Sequence, residues 1–311
     1  MAEITMVQRS KSISFLAIAC CAAVMFFARP GQGLAAAGRI TIESGGVPRS
    51  AILVQHERLK KARRPLVIIL HGGSGNAGRV RRRLGLEERA RSYGPILVYP
   101  DAISGHWSDA PGPEASRDAA FIHDLVAKLV AEGIADRHRV FLVGVSTGGM
   151  MALRLACDHA NTFAGVAAVI TGLPADLVQT CKPSRPVPLL MIVGTADQRV
   201  PYQGGKANLA DSKAELASVE TTLGIFGKAA GCGEGHTTIA FPERDTRDGI
   251  RAYLDRLNGC KVPVEAVRIE GGGHIIPGRR GGGGQGPALG ASISDVNSAK
   301  LVWDFFSRLG G

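Results

Sequence analysis

Ser146 sits in the string GVSTGG (144–149), between the apolar run RVFLVG (139–144) and the helix-like run GMMALRLAC. The frame is G-x-S-x-G, with Gly144 and Gly148 two positions to either side. A serine on so tight a strand-to-helix turn has strained backbone angles and crowded neighbours, and small flanking residues relieve the crowding. The turn holds the hydroxyl out over the sheet edge. The helix start offers backbone N–H groups and a positive dipole end to a developing oxyanion. The chemistry open to such a serine is nucleophilic attack on an acyl carbon. A plain glycine-rich turn also fits the six letters alone; the strand before and the helix after favour the nucleophile.

A serine hydroxyl needs a base, and a serine on such an elbow is followed along the chain by an Asp or Glu and then a His. Three histidines follow Ser146: His159, His236 and His274. His159 lies at the end of the helix that Ser146 opens, on the wrong side. His236 lies in a polar stretch between two cysteines, read as a loop. His274 follows the strand-like VEAVRIE and the glycine turn GGGH, which places it at a strand's carboxyl end, where the base belongs. For the acid, VPLLMIVGTAD puts Asp197 just past an apolar strand, whereas the other aspartates in the interval sit in helical or polar sequence. The string LVIILHGGSG supplies a second oxyanion donor after an early strand. The expected donors are the backbone N–H groups of Thr147 and Gly73, with His71 bracing the loop. Trp107, after PILVYP, is a candidate floor for the substrate pocket, with plain packing as its other reading.

These residues need a scaffold that brings strand ends together. Apolar runs recur at 65–70, 95–100, 139–144, 163–170, 187–193 and 262–270. Between them lie helical patterns, among them SRDAAFIHDLVAKLVAEG, with Ser116 as its expected N-cap, and a final DVNSAKLVWDFFSRL. Continuous apolar strands alternating with helices predict an α/β fold: a mostly parallel central sheet with helices on both faces. Ligand sites in such sheets lie beyond the carboxyl ends of the strands. The piece GRRGGGGQG (278–286) reads as a surface loop.

The first stretch reads differently. Arg9 and Lys11 precede ISFLAIACCAAVMFFA, Pro30 and Gly31 break that run, and GLAAAG offers small residues for cleavage near Ala37. This is the layout of a secretory signal peptide over residues 1–37, followed by a single catalytic domain over 38–311. A membrane anchor is the competing reading of the same run. Export into an oxidising compartment, extracellular or periplasmic, leaves Cys157, Cys181, Cys232 and Cys260 as an even set. The local pairs Cys157–Cys181 and Cys232–Cys260 are expected. No CxxC spacing supports zinc instead. The formal net charge is +10 for 37 Lys and Arg against 27 Asp and Glu. No basic run with interleaved aromatics accompanies it, which argues against a nucleic-acid partner and for a basic exported protein.

Taken in order, LHGGSG, GVSTGGMMALRLAC, FAGVAAV, GTADQRVPYQGG and IEGGGHIIPG, ending in VWDFF, resemble the secreted polyhydroxybutyrate depolymerase and feruloyl esterase group of α/β-hydrolases. The likeness runs from about residue 45 to the C-terminus. It implies a serine esterase without metal or organic cofactor, with Ser146 as nucleophile, Asp197 as acid and His274 as base. It also implies the two local disulfides. The expected partner is an ester substrate, polymeric or oligomeric, with no stable membrane association once the signal is removed. There are two departures from the family pattern: Ile276 stands where a Trp is frequent, and Thr147 where Asn is frequent. Both touch the substrate pocket, so the substrate stays open between polyhydroxybutyrate-type polyester and feruloyl or acetyl esters. An acyltransferase and a non-catalytic binding protein are the other readings.

Overall fold

All six of the predicted apolar runs form the middle of one ten-stranded sheet in the computed structural model, which describes residues 35–56, 63–90, 94–108, 112–210, 212–244, 246, 249–278 and 295–311. The strands are β1 (Ala35–Ser44), β2 (Val47–His56), β3 (Arg64–Leu70), β4 (Ile96–Pro100), β5 (Ala135–Val145), β6 (Gly165–Val169), β7 (Leu189–Gly194), β8 (Gly205–Lys206), β9 (Glu215–Leu216), β10 (His236–Ala240), β11 (Arg251–Leu257) and β12 (Val264–Glu270). The large sheet has the order β1-β2-β4-β3-β5-β6-β7-β12-β11-β10, and β8 and β9 form a separate small hairpin. Strands β4, β3, β5, β6, β7 and β12 run parallel, and the two strands at each edge are antiparallel.

The edges hold strands that the apolar runs did not predict. The β1–β2 hairpin turns at Gly45 and Gly46, both with positive φ, the backbone a tight two-residue hairpin needs. On the other edge, β10 is exposed along its whole length, so no apolar run marks it. His236 opens that strand and does not lie in a loop.

The helices are α1 (Ala77–Leu84), α2 (Leu86–Ala90), α3 (Pro113–Ala131), α4 (Thr147–Asp158), α5 (Val219–Ala230) and α6 (Ser298–Ser307). They split between the two faces, as the side-chain alternation along β3 requires. Leu66, Ile68 and Leu70 face a core built with α3, α4 and α5. Val67 and Ile69 face a second core with α1, α2 and α6, where Phe141 stacks on Phe306 at 4.7 Å. Ser116 does not cap α3. The helix starts three residues earlier, with Gly112 at the N-cap and Pro113 in its first turn, where proline's missing N–H costs nothing. Residues 1–34 of the expected signal segment and residues 279–286 of the glycine-rich stretch lie outside the described residues; β1 opens at Ala35, ahead of the expected boundary near Ala37. Among the described residues, no helix is long and apolar enough to cross a membrane.

Both expected disulfides are present. Cys157–Cys181 ties the end of α4 to the segment after β6, and Cys232–Cys260 ties the end of α5 to the turn between β11 and β12. They close loops with sequence separations of 24 and 28 residues. Replacing Cys157 and Cys181 together by alanine should lower the unfolding free energy by about 3 kcal/mol, read by urea denaturation. A loss under about 1 kcal/mol would show that the bridge constrains the unfolded chain little.

Candidate active site

The site begins with a close approach of three backbones. A Cβ at Gly144 would collide with the carbonyl of Gly148, and a Cβ at Gly148 would collide with the carbonyls of Leu70 and His71. Glycine at both positions therefore lets the start of α4 settle against the ends of β5 and β3. Between them Ser146 holds φ 55° and ψ −122°, a conformation rare for a residue with a side chain. The backbone around it holds it there. Its N–H donates to the Val169 carbonyl at 2.9 Å, and its carbonyl accepts from the Thr171 hydroxyl at 2.8 Å. Gly149 leaves room for Thr171, whose side chain would collide with any Cβ there. Ile170, just before Thr171, carries φ 45°, a strained angle for a β-branched residue.

His274 meets this serine from the loop after β12. The Ser146 hydroxyl donates to His274 Nε2 at 3.0 Å, and His274 Nδ1–H donates to Asp197 Oδ2 at 2.7 Å; the tautomer follows from these partners. All three side chains are buried. The other oxygen of Asp197 accepts from the backbone N–H groups of Arg199 and Val200, each at 2.8 Å. That leaves one carboxylate oxygen to face the imidazole. The loops carrying the acid and the histidine are laced together: Ala196 N–H donates to the Gly272 carbonyl, and Gly271 N–H to the Thr195 hydroxyl. Neither other histidine joins them. His159 caps α4 at its far end, and His236 lies on the exposed β10.

Gly72 and Gly73 follow β3 directly. A Cβ at Gly72 would stand 3.3 Å from the Ser146 Cβ, so this loop passes beside the serine. Helix α4 starts at Thr147, whose amide therefore has no acceptor within the helix. Gly73 and Thr147 thus lie on the two segments that flank the Ser146 hydroxyl. His71 braces the first of these segments. Its Nδ1–H donates to the Gly72 carbonyl at 2.8 Å, and its Nε2 accepts from Ala102 N–H at 3.1 Å. Trp107 is buried and donates its indole N–H to the His71 carbonyl at 2.9 Å. Through that bond it holds the loop. Sequence reasoning missed Thr171, because nothing in a hydroxyl after an apolar strand says which carbonyl it will meet.

This fold and site define a class: an open parallel sheet with a strained serine after its central strand, and His and Asp from two neighbouring strand ends. Comparisons with known proteins bear on the fold and on the activity. A profile described as "Esterase PHB depolymerase" matches residues 53–218. A Nocardia uniformis subsp. tsuyamanensis protein named "Putative esterase NocK" is 33% identical over 264 residues, 80% of this chain and 75% of that protein. "Feruloyl esterase B" of Piromyces equi is 27% identical over 68% of this chain, which spans only 39% of that longer protein. Among solved structures, an acetyl xylan esterase from Aspergillus awamori has the same fold, with TM-score 0.58 at 13% identity over 77% of this chain and 94% of its own. The chain belongs to the Esterase PHB depolymerase family. It is an esterase of the α/β-hydrolase fold, a serine hydrolase acting on carboxylic esters.

Burial holds the His71 pKa below its ordinary value of 6.5. Just below that pH the unfolded chain binds a proton that the folded chain refuses, so stability falls as pH drops through the window. The stability gap between the native chain and His71→Asn should therefore narrow from pH 7 toward pH 5, read as Tm against pH. A gap that stays constant or widens on acidification would contradict a neutral His71.

Proposed function

We propose that Ser146 is the nucleophile of an exported esterase, with His274 as its base and Asp197 as the group that orients the base. The observation that carries this reading is the unbroken hydrogen-bond chain from the Ser146 hydroxyl through His274 to Asp197. Ser146 Oγ attacks the ester carbonyl while His274 Nε2 takes its proton. The backbone N–H groups of Thr147 and Gly73 receive the negative charge that develops on the carbonyl oxygen. His274 then gives its proton to the departing alcohol oxygen, which leaves an acyl-serine. A water, deprotonated by the same imidazole, releases the acid. Asp197 keeps Nδ1 protonated, so that Nε2 stays free to accept.

The substrate class we propose is a polyhydroxybutyrate-type polyester or its oligomers, supported by the family profile. A second reading is a feruloyl ester, supported by relatives that carry that name. Export is supported by the two disulfides, which persist in oxidising compartments, and by the signal-like layout of residues 1–37. A panel of hydroxybutyrate oligomers, feruloyl esters and acetyl esters separates the substrates. The polyester reading expects the highest kcat/KM on the oligomers, and a feruloyl optimum overturns it.

Ser146→Ala should fold normally and lose on the order of a million-fold in turnover. His274→Ala should cost a similar factor, and the double variant should be little worse, because the pair acts as a unit. Asp197→Asn should cost roughly ten-thousand-fold, since it holds the wrong tautomer. A Ser146→Ala enzyme that keeps a tenth of its rate contradicts the assignment, as does a crippled His236→Ala beside a normal His274→Ala.

A further inference from the structure

Thr147 carries a polar atom that the mechanism above does not use. Its backbone N–H serves the oxyanion in that reading, but its side-chain hydroxyl is buried and has no hydrogen-bond partner among the described residues. Buried hydroxyls of this kind are uncommon and ask for a cause. Elsewhere in the chain a helical threonine shows the ordinary route. On α5, the Thr222 hydroxyl donates back to the Ser218 carbonyl, four residues earlier, at 2.9 Å. In the turn after 175–177, the Thr180 hydroxyl likewise donates to the Asp176 carbonyl. Thr147 has no such carbonyl. It is the first residue of α4, and the residues three and four before it belong to strand β5. The elbow that exposes Ser146 therefore strands the next hydroxyl.

Covalent geometry ties that hydroxyl to the oxyanion position. In two of its three staggered rotamers, a threonine Oγ1 lies about 3 Å from its own amide nitrogen. An acceptor seated on the Thr147 N–H is thus within reach of the Thr147 O–H after at most one rotation about χ1. Valine has the same shape without the hydroxyl and would remove the orphan. The polar atom has a use only when an acceptor arrives.

We propose that the Thr147 side chain is a third oxyanion donor. Its O–H turns to the substrate carbonyl oxygen as Ser146 adds to the carbonyl carbon and that oxygen gains negative charge. No proton is transferred; the bond is a hydrogen bond that strengthens with the charge. It rests on the assignment of Ser146 and the Thr147 amide above, and it makes Thr147 a catalytic residue by its side chain as well as its backbone. Because the interaction matures with the negative charge, it acts on kcat and leaves KM nearly alone.

The test compares Thr147→Val and Thr147→Ser with the native enzyme on a soluble p-nitrophenyl ester. We expect Thr147→Val to lose on the order of a hundredfold in kcat with KM within about twofold, while Tm stays equal or rises. Its affinity for a trifluoromethyl ketone, which forms a tetrahedral oxyanion adduct on serine, should drop by the same factor as kcat. Thr147→Ser should regain most of both. The proposal is overturned if Thr147→Val keeps kcat within about threefold, or if Thr147→Ser is as slow as Thr147→Val, since the hydroxyl is then not the cause. The underlying assignment fails separately: an active Ser146→Ala sinks that reading, whereas an inactive Ser146→Ala beside a fast Thr147→Val sinks only the third donor.

Discussion

The site depends on a backbone contact that tolerates no side chain. The carbonyls of Leu70 and His71 press on Gly148, and Gly148 presses on Gly144. This contact brings the start of α4 against the ends of two adjacent parallel strands, β3 and β5. It forces Ser146 into a rare backbone conformation and, by the same geometry, brings the Gly72–Gly73 loop alongside it. Strain of this kind costs on the order of 1–3 kcal/mol and persists only where surrounding structure over-determines it. Here the determining bonds are those of the Ser146 backbone to Val169 and Thr171.

The rest of the molecule can be understood as support for that contact. A sheet buried on both faces fixes the strand ends in three dimensions, because a slip by one residue would turn every core side chain to the wrong face. Asp197 and His274 then follow from neighbouring parallel strands, β7 and β12, whose ends are cross-linked by backbone hydrogen bonds. On the other side, Trp107 and His71 brace the first glycine loop from beneath. Asp101 secures the helix that follows. Burial alone would raise its pKa, but donors from Ala77 N–H, Arg39 and Ser50 hold it below the ordinary range.

Much of this is legible in the sequence because it rests on local pattern. The parallel strands are continuous apolar runs, and the chain order Ser, Asp, His picks out the same side chains that the fold draws into hydrogen-bond contact. What the sequence hides rests on non-local or two-sided effects. Strand β10 is solvated along its length and carries no apolar signal. The β1–β2 hairpin was signalled only by Gly45-Gly46 between alternating residues. Ser116 resembled a cap, yet Pro113 had already set the helix angle. Trp107 offered a pocket floor or plain packing, and neither reading foresaw its indole N–H bond to the His71 carbonyl. The reach of Thr171 to the Ser146 carbonyl crosses 25 residues and leaves no mark in either segment.

The central claim is that the fold activates one serine out of all those in the chain. Stoichiometric labelling with a fluorophosphonate, followed by intact mass and peptide mapping, tests it most directly. The account predicts a single adduct on Ser146 in the folded enzyme, slowed by orders of magnitude in His274→Ala and absent after unfolding. Labelling at another residue, or equal labelling of the folded and unfolded chain, would contradict it.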